Sequence, residues 1–285
     1  MRLVSYQGGE GPRIAGVRDG KYVDLNRTDP ALPASMRALL ALGGDGLAKA
    51  RTATSTGESF EPSSVKLLAP IPDPPKVICI GLNYADHAAE SGMVISSEPI
   101  IFCKLGTTLL APGEPILLPK VATKVDYEAE LVVVIGQGGK NISRVKAMEH
   151  VAGYACGHDV SARDWQKGKP GGQWTLGKGF DTFAPLGPFL VTADEVGDPN
   201  NLRVQMRLND RSMQDSNTSQ FIFKIDMLIE YISACCTLLP GDLLYTGTPP
   251  GVGFARNPPV FLQAGDVAEV EIEKLGVLRN PVADE

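Results

Sequence analysis

Apolar residues along this chain fall mostly in short runs, several of them alternating with polar ones, and only rarely at helical spacing. Leu3–Tyr6, Ile14–Val17 and Tyr22–Leu25 are strand candidates broken by Gly and Asp. Met36–Ala50 has a helical period, with Leu39, Leu40, Leu42 and Leu47 as its apolar face. Residues 51–65 are rich in Ser, Thr, Gly and Glu, and Pro70, Pro72, Pro74 and Pro75 come next. That composition marks a boundary near residue 70, between a small N-terminal α+β domain (1–70) and a main domain (71–285).

Beyond the boundary the pattern predicts strands at Lys76–Ile80, Ile100–Lys104, Pro115–Leu118, Glu128–Ile135, Pro188–Val191, Arg203–Leu208, Leu243–Tyr245 and Val267–Ile272. Two helices are predicted among them. One is Arg144–Val151, capped by Ser143 and stopped by Gly153. The other is Ile225–Cys236, whose Met227, Leu228, Tyr231, Ile232 and Cys235 form an apolar stripe read as core. The fold class is therefore mixed and mainly β.

Composition narrows the function. The 285 residues are 43% hydrophobic and 21% charged, with a net charge of −6. An acidic balance argues against a general nucleic-acid binder, which needs basic surface to displace counterions from phosphates. It leaves room for a local basic pocket that takes a small anionic metabolite. No run of 18 apolar residues appears, so no transmembrane helix and no membrane partner are expected. The start, MRLVSYQGGEG, does not read as a signal peptide. Cys79, Cys103, Cys156, Cys235 and Cys236 are odd in number and lack a framework spacing, so they read as small buried residues of a cytoplasmic protein.

Three carboxylates carry the strongest chemical signal. In DYEAELVVVIG, residues 126–136, the run Val132–Ile135 is apolar on both faces, so the strand should be buried. Side chains at i and i+2 share a face, which sets Glu128 beside Glu130. Two neighbouring carboxylates out of water repel each other, and a divalent cation resolves the conflict. Without burial they would be two ordinary glutamates at a strand end. Asp159, after the small-residue stretch GYACGH, supplies a third oxygen ligand, and hard oxygen ligands suit Mg²⁺ or Mn²⁺. His158 should point the other way and is read as structural, and His150 as surface.

In GLNYADHAAESG, residues 81–92, His87 and Glu90 are three apart on a short helix capped by Asn83 and stopped by Gly92. A Glu beside a His fixes its tautomer, as a general base requires, although an exposed surface pair would have the same spacing. The segment Thr246–Gly253 offers two Thr hydroxyls and backbone N–H groups that could hold a carboxylate, with Lys178 and Arg163 as cationic partners.

These segments, in this order, resemble the fumarylacetoacetate hydrolase family. The matching stretches are GLNYADHAAE, PIIFCKLGTTLLAPGEPILLP, DYEAELVVVIG, GYACGHDVSARDWQ, LGKGFDTFAPLGP and GDLLYTGTPPGVG, spread over roughly residues 70–285. QW before LGK, and RNPPVFLQAGD near the end, are most similar to the type called domain-containing protein 2. The resemblance implies a mixed β-sandwich roll, a homodimer, and Mg²⁺ held by Glu128, Glu130 and Asp159. Mn²⁺ is an alternative ion, and Ca²⁺ a stand-in within a crystal. It further implies Lys178 beside the metal, Arg163, Gln214 and Thr248 on the substrate side, and His87–Glu90 on a lid helix.

The implied activity is hydrolysis of a C–C bond in a small 2-oxo or 1,3-diketo acid, acylpyruvate-like, through a metal-stabilised enolate. The same enolate would serve oxaloacetate decarboxylation, tautomerisation, or isomerisation or hydration of a dienoate. The His87–Glu90 pair tilts the reading towards hydrolysis, because decarboxylation needs no attacking water. A catalytically silent metal-binding relative is the rival from outside enzymology, and the intact metal, lysine and His–Glu positions count against it. A glycosidase fits poorly: paired acids on one strand face do not flank a sugar bond, and aromatics are 6% with two Trp.

Overall fold

A computed structural model describes all residues, 1–285. It is mainly β. One large sheet carries, in order across its centre, Ala184–Thr192, Val151–His158, Ala129–Ile135, Leu243–Tyr245, Val77–Gly81 and Ile100–Lys104. A second sheet of five strands is built around Arg203–Leu208, Val267–Ile272 and Gly276–Asp284.

The Ala129–Ile135 strand shows why the two layers exist. All seven of its residues are buried, as its apolar run predicts. Leu131, Val133 and Ile135 enter the core shared with the five-stranded sheet and the Ile225–Cys235 helix. Val132 and Val134 enter a second core with Leu3, Ile14, Leu39 and Leu40 of the N-terminal segment. Glu130 has the parity of Val132 and Val134, so the acids enter on the second face.

The N-terminal strands Arg2–Gly8, Gly11–Arg18 and Lys21–Asp24 continue the large sheet, because Arg2 and Leu3 pair with Val191 and Leu190. The segment before residue 70 thus shares both sheet and core with the rest of the chain.

Several local expectations need correction. Met36–Ala50 is two helices, Met36–Ala41 and Gly43–Thr56, because Gly43 takes a φ of 63° that ends the first one; Leu42 is left exposed. Arg144–His150 is a 3₁₀ segment, Ser143 makes no side-chain cap, and a strand begins at Val151. Gly153 stops nothing: it lies inside that strand, pressed against the neighbouring one. In the Ile225–Cys235 helix the buried face is Ile225, Leu228, Ile229, Ile232 and Ser233, while Tyr231 and Cys235 are exposed. Cys79 and Cys156 are buried as expected, but Cys103 is exposed like Cys235. No helix is long and apolar enough to cross a membrane.

A side chain at Gly153 would place its Cβ 2.1 Å from the Val191 carbonyl oxygen, whereas at Gly9 nothing lies within 4 Å. Gly153→Ala should therefore cost about 1–3 kcal/mol in denaturant unfolding, and Gly9→Ala should change stability by less than about 0.5 kcal/mol. Equal midpoints for the two variants would refute the close approach.

Candidate metal centre and active site

Glu128 and Glu130 stand at the entry of the central strand, and register brings Asp159 beside them. His158 pairs with Ala129, and the Asp159 N–H donates to the Glu128 carbonyl at 2.9 Å. One oxygen from each of the three carboxylates lies within 4.8 Å of the others, and all three residues are buried.

The three acids are not equivalent. Glu128 receives Arg163 Nη2 at 2.6 Å and Lys178 Nζ at 2.8 Å. Burial works against its charge, but Lys178 and Arg163 outweigh it and hold its pKa at about 2. Lys178 Nζ also lies 2.6 Å from Asp159 Oδ2. Glu130 has no cation. It receives only the Gly247 N–H, at 2.8 Å, and burial together with Asp159 and Glu128 raises its pKa well above the ordinary glutamate value.

Lys104, which pattern reading missed, completes the cluster. Its fully buried ammonium donates to the carbonyls of Lys178, Phe183 and Val160 at 2.7, 2.8 and 3.1 Å. Those bonds use its three protons. Asp159 Oδ1 sits 2.7 Å from the same nitrogen yet receives no hydrogen bond. A buried acceptor without a donor, beside a glutamate without a counter-charge, in a set made only of carboxylate oxygens, fits a hard divalent cation. Glu128, Glu130 and Asp159 could hold it.

The Thr246–Gly253 segment does bind carboxylates, but they are the chain's own. Gly247 N–H serves Glu130, Gly251 N–H serves Glu90 at 3.0 and 3.1 Å, and Gly253 N–H serves Asp126 at 2.7 Å. Thr248 Oγ1 donates to the Ala129 carbonyl and accepts from Gln214. The loop is thus a clamp on the acids of the site, while its Thr248 also lines the inner cavity. Gln214 is spent in the same way, between Ala129 N–H, Thr248 and the Pro249 carbonyl, and does not line the cavity. Arg163 is shared among Asp126, Glu128 and Gln166.

His87 and Glu90 lie on the Ala85–Ser91 helix, with His87 Nδ1 3.2 Å from Glu90 Oε2. A carboxylate only accepts, so the shared proton sits on Nδ1, and in the neutral ring Nε2 is then the acceptor. Gly92 ends the helix as expected, but Tyr84 stands at its start; Asn83 instead bridges the Thr246 and Phe223 backbones. His158 is buried beneath the cluster, where burial and Lys104 push it down to about 3 and keep it neutral. His150 closes a turn onto the Gln137 carbonyl.

An inner cavity of about 70 Å³ is lined by Glu128, Glu130, Lys178, Thr248 and His87, and Phe102, Trp174 and Met93 add apolar wall. Leu82, also on the wall, holds a left-handed φ of 48°. A vestibule of about 260 Å³ shares His87, Met93, Arg163 and Lys167 with it. A larger hollow of about 710 Å³ in the N-terminal segment is remote from the acid cluster, and its Asp24 is neutralised by Arg13.

Comparison with known proteins agrees with the geometry. The fumarylacetoacetate (FAA) hydrolase C-terminal family matches residues 76–283. "Oxaloacetate tautomerase fahd2, mitochondrial" of Xenopus laevis is 50% identical over 287 residues, which is 99% of this chain and 90% of that protein. The fumarylacetoacetate hydrolase of Exiguobacterium antarcticum superposes with a TM-score of 0.87 at 33% identity, covering 100% of both chains. Maleylpyruvate hydrolase from Sphingobium sp. SYK-6, in complex with manganese(II) ion and pyruvate, does so at 0.83 and 30%, covering 100% of this chain and 99% of that one. The Xenopus relative's name corrects the expectation of a cytoplasmic protein. Unbridged cysteines show that no disulfide framework is needed; they do not choose a compartment.

The raised pKa of Glu130 has a measurable consequence. A cation must displace the proton that Glu130 retains, so Mn²⁺ affinity should fall with decreasing pH already above pH 5, where an ordinary glutamate is still mostly ionised. Calorimetry in buffers of different ionisation heat should show proton release on binding that sets in at a higher pH than an ordinary glutamate would give. Heats independent of buffer would contradict the assignment.

Proposed function

This chain belongs to the fumarylacetoacetate hydrolase family, and from that premise we propose that it is a divalent-metal-dependent enzyme interconverting the keto and enol forms of a small 2-oxo acid, oxaloacetate in particular. The observation that carries this reading is that His87, held by Glu90, lines the same inner cavity as Glu128 and Glu130 of the three-acid cluster.

A cation held by Glu128, Glu130 and Asp159 would act as a Lewis acid towards the 2-oxo group. The chain's own groups do the rest. Glu90 accepts the hydrogen bond from Nδ1 and fixes the imidazole, so Nε2 can take a proton from the carbon next to the carbonyl and deliver it to the enolate oxygen, giving the enol, with the reverse transfer restoring the keto acid. Lys178, 2.8 Å from Glu128 and 2.6 Å from Asp159, places positive charge beside the oxygen that gains negative charge. Phe102, Trp174 and Met93 keep the reacting carbon away from bulk water.

Proton transfer is preferred here over the hydrolysis that the sequence suggests. The Xenopus relative, named as an oxaloacetate tautomerase, supports the same choice. Hydrolysis of an acylpyruvate-like acid is the second reading, supported by the His87–Glu90 pair and by the similarity to maleylpyruvate hydrolase.

The test tracks the ultraviolet absorbance of enol oxaloacetate with Mg²⁺ or Mn²⁺ and again with EDTA, alongside acylpyruvate cleavage. Metal-dependent interconversion is expected, with His87→Ala slower by about 10²- to 10⁴-fold and metal affinity near normal. An unchanged rate in His87→Ala would remove it as the base. Acylpyruvate cleavage without interconversion would return the hydrolytic reading.

A further inference from the structure

The cations around the site are almost all spent. Arg163 is paired with Asp126 at 2.9 Å and Glu128 at 2.6 Å, Lys178 with Glu128 and Asp159, and Lys104 with Asp159. None is free to meet a second carboxylate of an incoming molecule. Lys167 differs: it lines both the inner cavity and the vestibule and has no carboxylate within ion-pair distance.

The fold sets its backbone, while the side chain is exposed at the mouth of the site. Lys167 ends the short Arg163–Gln166 helix, where its N–H donates to the Arg163 carbonyl at 2.9 Å. Its ammonium lies 4.3 Å from the centre of the Phe254 ring, which walls the vestibule. Its neighbour Lys169 stacks on Trp165 and lines neither space. The one acid lining the vestibule, Glu90, is already occupied by Gly251 N–H and His87. Burial and Arg163 lower the Lys167 pKa from the ordinary lysine value, a strain that an arriving anion would relieve.

We propose that Lys167 binds the distal carboxylate of the substrate, so that the site selects 2-oxo dicarboxylates over 2-oxo monocarboxylates. This rests on the proposed function, in which the acid cluster receives the 2-oxo acid head. With the head at the acids, the remainder of the molecule passes His87 and Met93, which line both spaces, into the vestibule where Lys167 stands.

The test compares oxaloacetate with 2-oxobutanoate, which carries a methyl group in place of the distal carboxylate. Binding of each to the Mn²⁺-loaded enzyme is measured by titration calorimetry for wild type, Lys167→Met and Lys167→Arg, with keto–enol interconversion assayed separately. Wild type should prefer oxaloacetate. Lys167→Met should lose roughly ten- to hundredfold in oxaloacetate affinity, the scale of a charged hydrogen bond, while 2-oxobutanoate binding stays unchanged and Lys167→Arg retains most of the preference. Equal losses for both acids, no loss for either, or no binding of oxaloacetate to wild type would overturn the proposal. A Lys167-dependent preference without interconversion would keep the dicarboxylate site and dismiss the tautomerase reading instead.

Discussion

The constraint on which this structure turns is the burial of carboxylates. Asp126, Glu128, Glu130 and Asp159 are all withdrawn from water, and buried charge is tolerated only when paired and hydrogen-bonded. Lys104, Arg163 and Lys178 meet three of the four. Glu130 is left with one backbone N–H and the repulsion of two neighbours. The cluster therefore carries an uncompensated negative charge unless Glu130 keeps a proton or a dication takes that proton's place. That single deficit links the electrostatics of the chain to the ion it would carry.

The same pairing explains features of the chain that otherwise look like ordinary loops. The glycines at 247, 251 and 253 put N–H groups onto Glu130, Glu90 and Asp126, so one loop ties the central strand, the His87 helix and the Arg163 anchor together. Lys104 draws the carbonyls of Val160, Lys178 and Phe183 to one point. Strand register supplies the rest: with Ala129 opposite His158, Asp159 has no choice but to arrive at Glu128. The scaffold is rigid because the apolar part of that strand feeds two cores at once.

The features legible in the sequence were those that depend on period and on charge type. An i,i+2 pair of glutamates ahead of an apolar run could be placed on one face, and an i,i+3 His–Glu pair could be joined, because both come from backbone geometry. Asp126 obeys the same period as Glu128 and Glu130 and was within reach of that argument. Lys104 was not: a lysine ending IIFCK looks like a solvated strand end, and only tertiary contacts with residues 55 or more positions away bury it. The loop at 246–253 reads as a binder of carboxylates, and the structure adds that its N–H groups take the chain's own acids while Thr248 lines the inner cavity, since sequence does not say whose carboxylate arrives. Nor does local pattern reveal that Leu3 pairs with Leu190, which is why the stretch before residue 70 reads as separate.

Charge balance also bears on selectivity. With a dication bound and all four acids ionised, the four acids, three cations and metal together carry one excess positive charge. That is enough to welcome the carboxylate of any 2-oxo acid, and it treats a short acid and a long one alike. The clamp on Arg163 and Lys178 makes the head site strong but leaves it indifferent to the groups beyond the reacting carbon. Discrimination must then come from side chains that the acid cluster does not consume, in the space past His87. The apolar Met93 and Phe254 distinguish shapes there, and the unpaired Lys167 distinguishes charge. The division of labour is set by electrostatics: the residues that bury the acids cannot also read the far end of the substrate.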